Sequence, residues 1–300
     1  MPANRNTFGA LLTPGIRKVV MEVGVDRPPE FSAWANVPDM PWNPVTDRQI
    51  TGLTTVGSMP EGTQFPLDNP ILGGTKAYEA VPYGGAFEVT RPMWEDDFYG
   101  PINDMGKELG RSSRQRMEID AHSLLNNAFS TSFVGFIAAE SLCSTSHARI
   151  DGGAAQANRP SPDIGFSVTG IQALLVRFEN LVNERGLTEL LQPSMFLVTP
   201  TNKFNAREIL GSAHKPFTAD NEINSLLEED MGWMVNHYLT TATYWFGLCS
   251  KSVHDLNFFI RTPPSFDSFD DPWTGNAVFT VWQRHIPGFG RWKGIDGSTG

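Results

Sequence analysis

Proline restricts this 300-residue chain more than any other residue, because its ring fixes φ, removes an amide donor and pushes the preceding residue into extended geometry. Eleven of the 22 prolines fall in the first ninety residues: Pro2, Pro14, Pro28, Pro29, Pro38, Pro41, Pro44, Pro60, Pro66, Pro70 and Pro82. That third of the chain is expected to be arm-like, with little helix. It is not polar enough for a free tail, since Phe8, Leu11, Leu12, Phe31, Trp34 and Trp42 sit within it. An extended segment carrying aromatics needs another surface to lie on. The chain also has 28 glycines, so turns and extended stretches must be plentiful, which argues against a helical bundle or coiled coil.

Residues 49–91 read as a long hairpin. Gln49–Val56 and Thr75–Arg91 are rich in β-branched and aromatic residues, and Phe87, Glu88, Val89 and Thr90 alternate in and out. The connection between them, 57–74, holds seven glycines or prolines in eighteen residues. A lone hairpin is marginal in water, and so long a structureless connection is uncommon inside a compact domain. The residues leave two readings open: an ordinary solvated loop, or a loop that packs on a neighbouring subunit.

The clearest helix follows. Gly100-Pro101 is a start signal with proline at the first helical position, and Phe98, Ile102, Met105 and Leu109 recur at the spacing of one apolar face. Helical character continues to about Phe129, long enough for a structural spine. On the opposite side Lys107, Arg111 and Arg114 form a basic row, read either as a solvated face or as a weak, unselective strip toward nucleic acid. A second helix is expected over 168–185 with Gly186 as its stop, a helix from Pro200 to Leu210, and another over 222–230. Strands are expected at Met195–Thr199, Trp233–Leu239, Thr243–Leu248, Leu256–Arg261 and Ala277–His285. The alternation of helices with strands through 168–261 suggests a compact lobe of the α/β or α+β class.

The net charge of −10, without a polybasic block, weighs against a strong phosphate-binding surface. Two cysteines build no disulfide framework, no apolar run suits a signal peptide or a membrane-crossing helix, and a chain of cytoplasmic origin is expected, soluble or made soluble by assembly. No phosphate-cradling loop, His-Glu-x-x-His or Gly-x-Ser-x-Gly occurs, and Gly288–Gly294 reads as a turn. Ser212 and Lys215 match Ser-x-x-Lys but lack its companion motifs, and Cys143 and His147 lie four apart in a stretch unlikely to be helical. Asp267, Asp270 and Asp271 read as an acidic turn rather than a cation loop. No catalytic, cofactor-binding or metal-ligating set is expected.

Particular stretches carry a family likeness. Glu61–Pro66 with Tyr83–Arg91 is similar to the extended loop and return strand of the major capsid (head) proteins of tailed double-stranded DNA bacteriophages, the Hong Kong 97-type fold, with the Mu-like head subunits as the nearest pattern. Ser144–His147 followed by Gly152–Pro160 resembles a stretch these subunits carry after the spine helix, and Phe196–Pro200, Ala206–Leu210 and Asn221–Asn224 resemble their axial domain. The likeness spans nearly the whole chain. It implies an N-terminal arm (1–48), an extended loop (49–91), a peripheral domain with the spine helix (92–165), an axial domain (166–275) and a return strand with a C-terminal segment (276–300).

The resemblance further implies a structural protein and not an enzyme, self-assembling into hexamers and pentamers of an icosahedral shell around a double-stranded DNA genome. Glu61, Gly62, Phe65, Lys76, Tyr78 and Tyr83 would meet neighbouring subunits, and Lys107, Arg111 and Arg114 would face the lumen and the packaged DNA. Portal and scaffold or decoration proteins would be its other partners, with no membrane, no cofactor, assembly in the host bacterial cytoplasm and residence in the virion capsid. Lys76 is the only lysine of the loop, but its flanks do not fit an isopeptide cross-link, so none is expected. Two rivals accompany this reading: an encapsulin-like compartment shell, and a soluble metal-dependent enzyme using Asp267, Asp270 and Asp271.

Overall fold

The computed structural model describes residues 28–96, 100–214, 223–229 and 231–300, without the side chains of residues 94 and 95. Most of the arm, Phe98, Lys215 and Asn221 lie outside the described residues. In chain order the elements are α1 (Phe31–Trp34), β1 (Val45–Ile50), β2 (Leu72–Tyr78), β3 (Val81–Val89), α2 (Arg91–Asp96), α3 (Gly100–Asn126), α4 (Val168–Glu179), β4 (Met195–Val198), a 3-10 turn at Pro200–Asn202, α5 (Lys203–Gly211), a second 3-10 turn at Ser225–Glu229, β5 (Gly232–Val235), β6 (Trp245–Leu248), β7 (Leu256–Asp270), β8 (Ala277–Phe289) and β9 (Ile295–Ser298). The chain divides into two compact units, one of 28–45, Tyr78–Ala121 and Phe258–Pro287, the other of Thr46–Ala77, His122–Asn257 and Gly288–Gly300.

The first unit is built on an antiparallel sheet in the order β3-β8-β7. β3 lies along β8 from the pair Val81–His285 to the pair Val89–Ala277. Alternation sends Phe87 and Val89 to the side of Phe279, Phe266 and Ile102, where they form a closed apolar cluster. The Phe87 and Phe279 rings stack with centroids 5.0 Å apart. A second cluster joins Met40, Tyr78, Ala80 and Phe259. Each fully buried aromatic of this kind stabilises the fold by roughly 1.5–3 kcal/mol relative to an exposed one.

The chain just beyond α1 covers part of the outer edge of β7: the Phe258 and Ile260 amides donate to the carbonyls of Asn36 and Pro38, and the Met40 amide donates to that of Ile260. Farther along β7 stand Pro263 and Pro264; Pro264 shares the outward register of Phe258 and Ile260, where an edge strand needs no donor. α1 is itself held by the buried Glu118 of α3, whose carboxylate accepts the Glu30 amide at 2.7 Å and the Phe31 amide at 3.3 Å. Burial pushes the Glu118 pKa up, and those two amides work against it.

The second unit centres on a sheet in the order β5-β4-β6-β9, parallel between β4 and β5 and antiparallel elsewhere. α4 starts at Ser167, whose side chain accepts the Gly170 amide, and buries Ile171, Leu174 and Phe178. Gly247 of β6 lets Leu174 approach so closely that a Cβ there would lie 2.9 Å from its Cδ1. Asn158 ties the unit's loops together: its amide donates to the carbonyls of Leu142 and Ile295 and its oxygen accepts the Ser144 amide.

Several expectations need correction. Residues 49–91 are not one hairpin: β1 pairs with β2, whereas β3 pairs with β8, nearly two hundred residues later. Helix α4 ends at Glu179, and Gly186 closes a separate turn with φ of 81°. β7 runs to Asp270 instead of stopping at Arg261, and β9 follows the glycine-rich turn.

Candidate assembly surface

The loop between β1 and β2 is cross-tied at its base and free at its tip. The Thr51 amide donates to the Ile71 carbonyl at 3.0 Å, and the Ile71 amide donates back to Thr51 Oγ1 at 2.8 Å. One rung farther out, the Thr54 amide and hydroxyl both donate to Asp68 Oδ2, at 2.6 and 2.7 Å. Those two bonds, with the nearby Arg185 charge, hold the Asp68 carboxyl below the usual range. At the tip the Thr63 hydroxyl donates to the Pro60 carbonyl at 2.7 Å, and Gly62 takes a φ of 79° that other residues resist.

Apolar side chains along this loop are exposed among the described residues. Val56 is 92% exposed, Phe65 76% and Leu67 93%, with Ile50, Leu53, Met59 and Leu72 exposed as well. Solvated loops are normally polar; an apolar row of this length marks a surface meant to be covered.

Of the residues expected to meet neighbours, Glu61, Gly62 and Phe65 stand exposed at the loop tip and Lys76 is half-buried on β2. Tyr78 is a correction: its ring is fully buried, with the Phe259 ring centroid 4.7 Å away, so it serves the subunit's own core. Tyr83 is also engaged internally. Its ring stacks on His285 at 4.7 Å, and the Arg116 guanidinium lies over it at 4.5 Å. Burial is the main reason its phenol pKa is raised. Arg116 Nε and His285 Nε2 both reach Asp120 Oδ2, at 2.8 and 2.9 Å. Asp120 is buried, which raises its pKa, but these partners outweigh burial and hold it low.

The basic row on α3 is mixed with acid. Lys107 pairs with Asp104 at 2.8 Å and Arg111 with Glu108, each three residues back. Arg114 is half-buried and acts electrostatically on Glu118. The three cations share one helix, but two of them are neutralised locally.

The remaining candidates do not converge on chemistry. Asp271 accepts the Trp273 amide at 3.1 Å and the Thr274 hydroxyl at 2.6 Å, forming the β7–β8 turn. Among the described residues no group of three or more His, Cys, Asp or Glu is placed to hold a metal ion, and no helix is long and apolar enough to cross a membrane. Cys143 is fully buried, which pushes its thiol pKa well up. His147 stacks on Trp292 at 4.1 Å with planes 4° apart and bonds Glu140 and Asn158. Burial pulls the His147 pKa down against the pull of those two partners.

Sequence reasoning passed over three residues that fix the loop: Asp68, Arg185 and Gly74. Asp68 and Arg185 are 117 positions apart and form an ion pair, which no local pattern signals. Gly74 was visible only as one of a pair of glycines; its backbone passes so near Phe136 that a Cβ would sit 1.9 Å from the Phe136 carbonyl oxygen.

A family model described as phage capsid protein matches residues 73–295. No curated protein sequence matches significantly. Among solved structures, the procapsid protein of bacteriophage JBD30 superposes with a TM-score of 0.54 at 16% identity, covering 99% of this chain and 76% of that one. Mycobacterium phage Adephagia gives 0.55 at 10% identity, covering 89% and 88%. A virus-like particle from Pyrococcus furiosus gives 0.54 at 8% identity, covering 94% and 97%. With a family match over most of its length, and this shared architecture, the chain belongs to the phage capsid protein family and carries the Hong Kong 97-type capsid fold.

Proposed function

We propose that this capsid shell subunit assembles with copies of itself into hexamers and pentamers of an icosahedral head, each subunit laying its loop over a neighbouring copy. The observation that carries the reading is the exposed apolar row from Leu53 to Leu67, held on a cross-tied stem. A subunit that never assembled would gain nothing from Val56, Phe65 and Leu67 in water, whereas covering each contributes about 1.5–3 kcal/mol. Repeated around a ring, such contacts act together, so modest individual strength yields a stable shell. Glu61 and Gly62 shape the tip that is laid down, and half-buried Lys76 borders its stem.

Packaged double-stranded DNA is the proposed occupant, touched weakly by Lys107, Arg111 and Arg114. Their pairing with Asp104 and Glu108 supports a contact that confines the genome without gripping it. Portal and scaffold or decoration proteins complete the proposed partners, and assembly takes place in the bacterial host cytoplasm. The loop reading is tested with Phe65→Glu/Leu67→Glu. The variant is expected to keep the wild-type circular dichroism spectrum but to remain small in sedimentation; normal assembly by it would refute the loop's role. The DNA contact is tested separately by replacing Lys107, Arg111 and Arg114 with Glu, which is expected to lower packaged DNA and its salt-dependent stability. Unchanged packaging would remove that assignment.

A further inference from the structure

The base of the loop is fastened to the rest of the second unit at two places, one through backbone contact and one through an ion pair. The inner fastening is Gly74, whose Cβ-free backbone presses on the Phe136 carbonyl, with Gly73 beside it against Ile150 and Gln49. Backbone contact this close leaves no room for translation. The outer fastening is the ion pair between Asp68, on the returning leg, and Arg185.

Arg185 is presented by a stiff turn. The Asn183 side chain accepts the amides of Arg185 and Leu187, both at 2.9 Å, the Asn183 amide donates to the Leu187 carbonyl at 2.7 Å, and Gly186 takes the positive φ that closes the turn. Asp68 is equally well placed, because Thr54 on the outgoing leg donates to it twice. One carboxylate therefore joins both legs of the loop to the body. Beyond it, from Thr54 to Asp68, the described residues form no hydrogen bond to any other part of the chain except through Asp68 itself.

We infer that the Asp68–Arg185 pair is a latch that fixes the angle of the loop in the unassembled subunit, with Gly73-Gly74 as the point about which the loop swings when the latch opens. The inference rests on the reading of the loop as the part that meets a second copy, and it adds how that part is held ready. Fixing the loop reduces the conformational entropy lost on docking. Because the pair is partly exposed, with side-chain exposures of 31% for Asp68 and 12% for Arg185, it is weak and salt-sensitive, so a docking neighbour can displace it.

The test is a distance measurement on the full-length subunit, diluted until sedimentation shows it monomeric, with spin labels at Glu61→Cys on the tip and Glu179→Cys at the end of α4. The native Cys143 and Cys249 are buried, which leaves the introduced thiols as the reactive ones. The expected result is one narrow distance distribution in the otherwise wild-type protein, broadened by Arg185→Gln, kept narrow by Arg185→Lys, and broadened by molar salt. Equal widths for Arg185→Gln and wild type would overturn the latch, as would a narrow distribution that ignores salt. The measurement needs no assembly, so it stands apart from the Phe65→Glu/Leu67→Glu test. Normal assembly of that variant would remove the docking role while leaving the distances to decide the latch.

Discussion

Replacing Gly74 with alanine tests whether the loop stem is seated as described. An alanine Cβ would lie 1.9 Å from the Phe136 carbonyl oxygen and 2.8 Å from its carbon, so the two backbones must separate by about 1 Å before the contact becomes tolerable. Overpacking a well-fitted site costs about 1–3 kcal/mol, and an obstacle made of backbone belongs at the upper end, about 3 kcal/mol. Gly73 supplies the internal comparison. Its Cβ would meet Ile150 Cδ1 at 2.7 Å and Gln49 Oε1 at 2.9 Å, both ends of side chains that can rotate, so Gly73→Ala is expected to cost only about 1 kcal/mol. Gly57, in the loop, has nothing within 4 Å of its would-be Cβ, and Gly57→Ala is expected to be neutral or to stabilise by up to about 1 kcal/mol through the unfolded chain. Urea unfolding of the unassembled subunit, followed by tryptophan fluorescence, ranks the three. A Gly74→Ala unfolding free energy within about 0.5 kcal/mol of wild type, or no worse than that of Gly73→Ala, would refute the close seating of β2 on Phe136.

Two further predictions concern pH. Asp163 is held at a pKa of about 2, first by the hydrogen bonds from Arg159 and then by Thr299. A depressed carboxylate stabilises the fold above its unfolded pKa near 3.8 and loses that contribution as pH falls toward 2, so Asp163→Asn is expected to cost about 2 kcal/mol at pH 7 and little near pH 2. Urea midpoints at the two pH values check this, and an equal loss at both would contradict it. Asp296 carries the opposite sign: burial pushes its pKa up to about 6 despite the two bonds from Arg177, so its contribution improves as pH falls through 6 toward 3.8. Asp296→Asn is expected to flatten the stability profile between pH 7.5 and 5, and an unchanged slope would count against it.

Much of the architecture was legible in local pattern. The Gly100-Pro101 start and the spacing of Ile102, Met105 and Leu109 identify α3, which runs to Asn126. The short apolar run at Met195–Thr199 similarly identifies β4. What failed were the statements about which strand pairs with which. Alternation in Phe87–Thr90 shows that a strand has two faces, but its partner is Val278 and its neighbours, a choice made by the tertiary core. β7 runs past Arg261 to Asp270 through Pro263-Pro264, a pair that local pattern reads as a break, and of the two Pro264 falls on the outer side, where an edge strand needs no donor. The end of α4 was overrun because Leu181 and Val182 keep the apolar rhythm, while Asn180 and Asn183 turn the backbone out of the helix.

The candidate surface was less legible. Glycine and proline content marks the loop, but the resemblance groups Tyr78 and Tyr83 with Phe65, and in sequence an aromatic looks the same whether a core or a partner covers it. Only the packing against Phe259 and the stacking on His285 separate them from Phe65. The Asp68–Arg185 pair had no signal in sequence, since an ion pair between residues so far apart exists only once the fold has brought them together.

The most direct test of the central claim is the state in which the purified chain exists in solution. Analytical sedimentation, with electron microscopy of whatever sediments fast, is expected to show hexamers, pentamers or closed shells for the wild-type protein, and only small species for Phe65→Glu/Leu67→Glu at unchanged secondary structure. A purified wild-type protein that stays monomeric at every concentration, or a loop variant that closes shells as readily as the parent, would contradict the account.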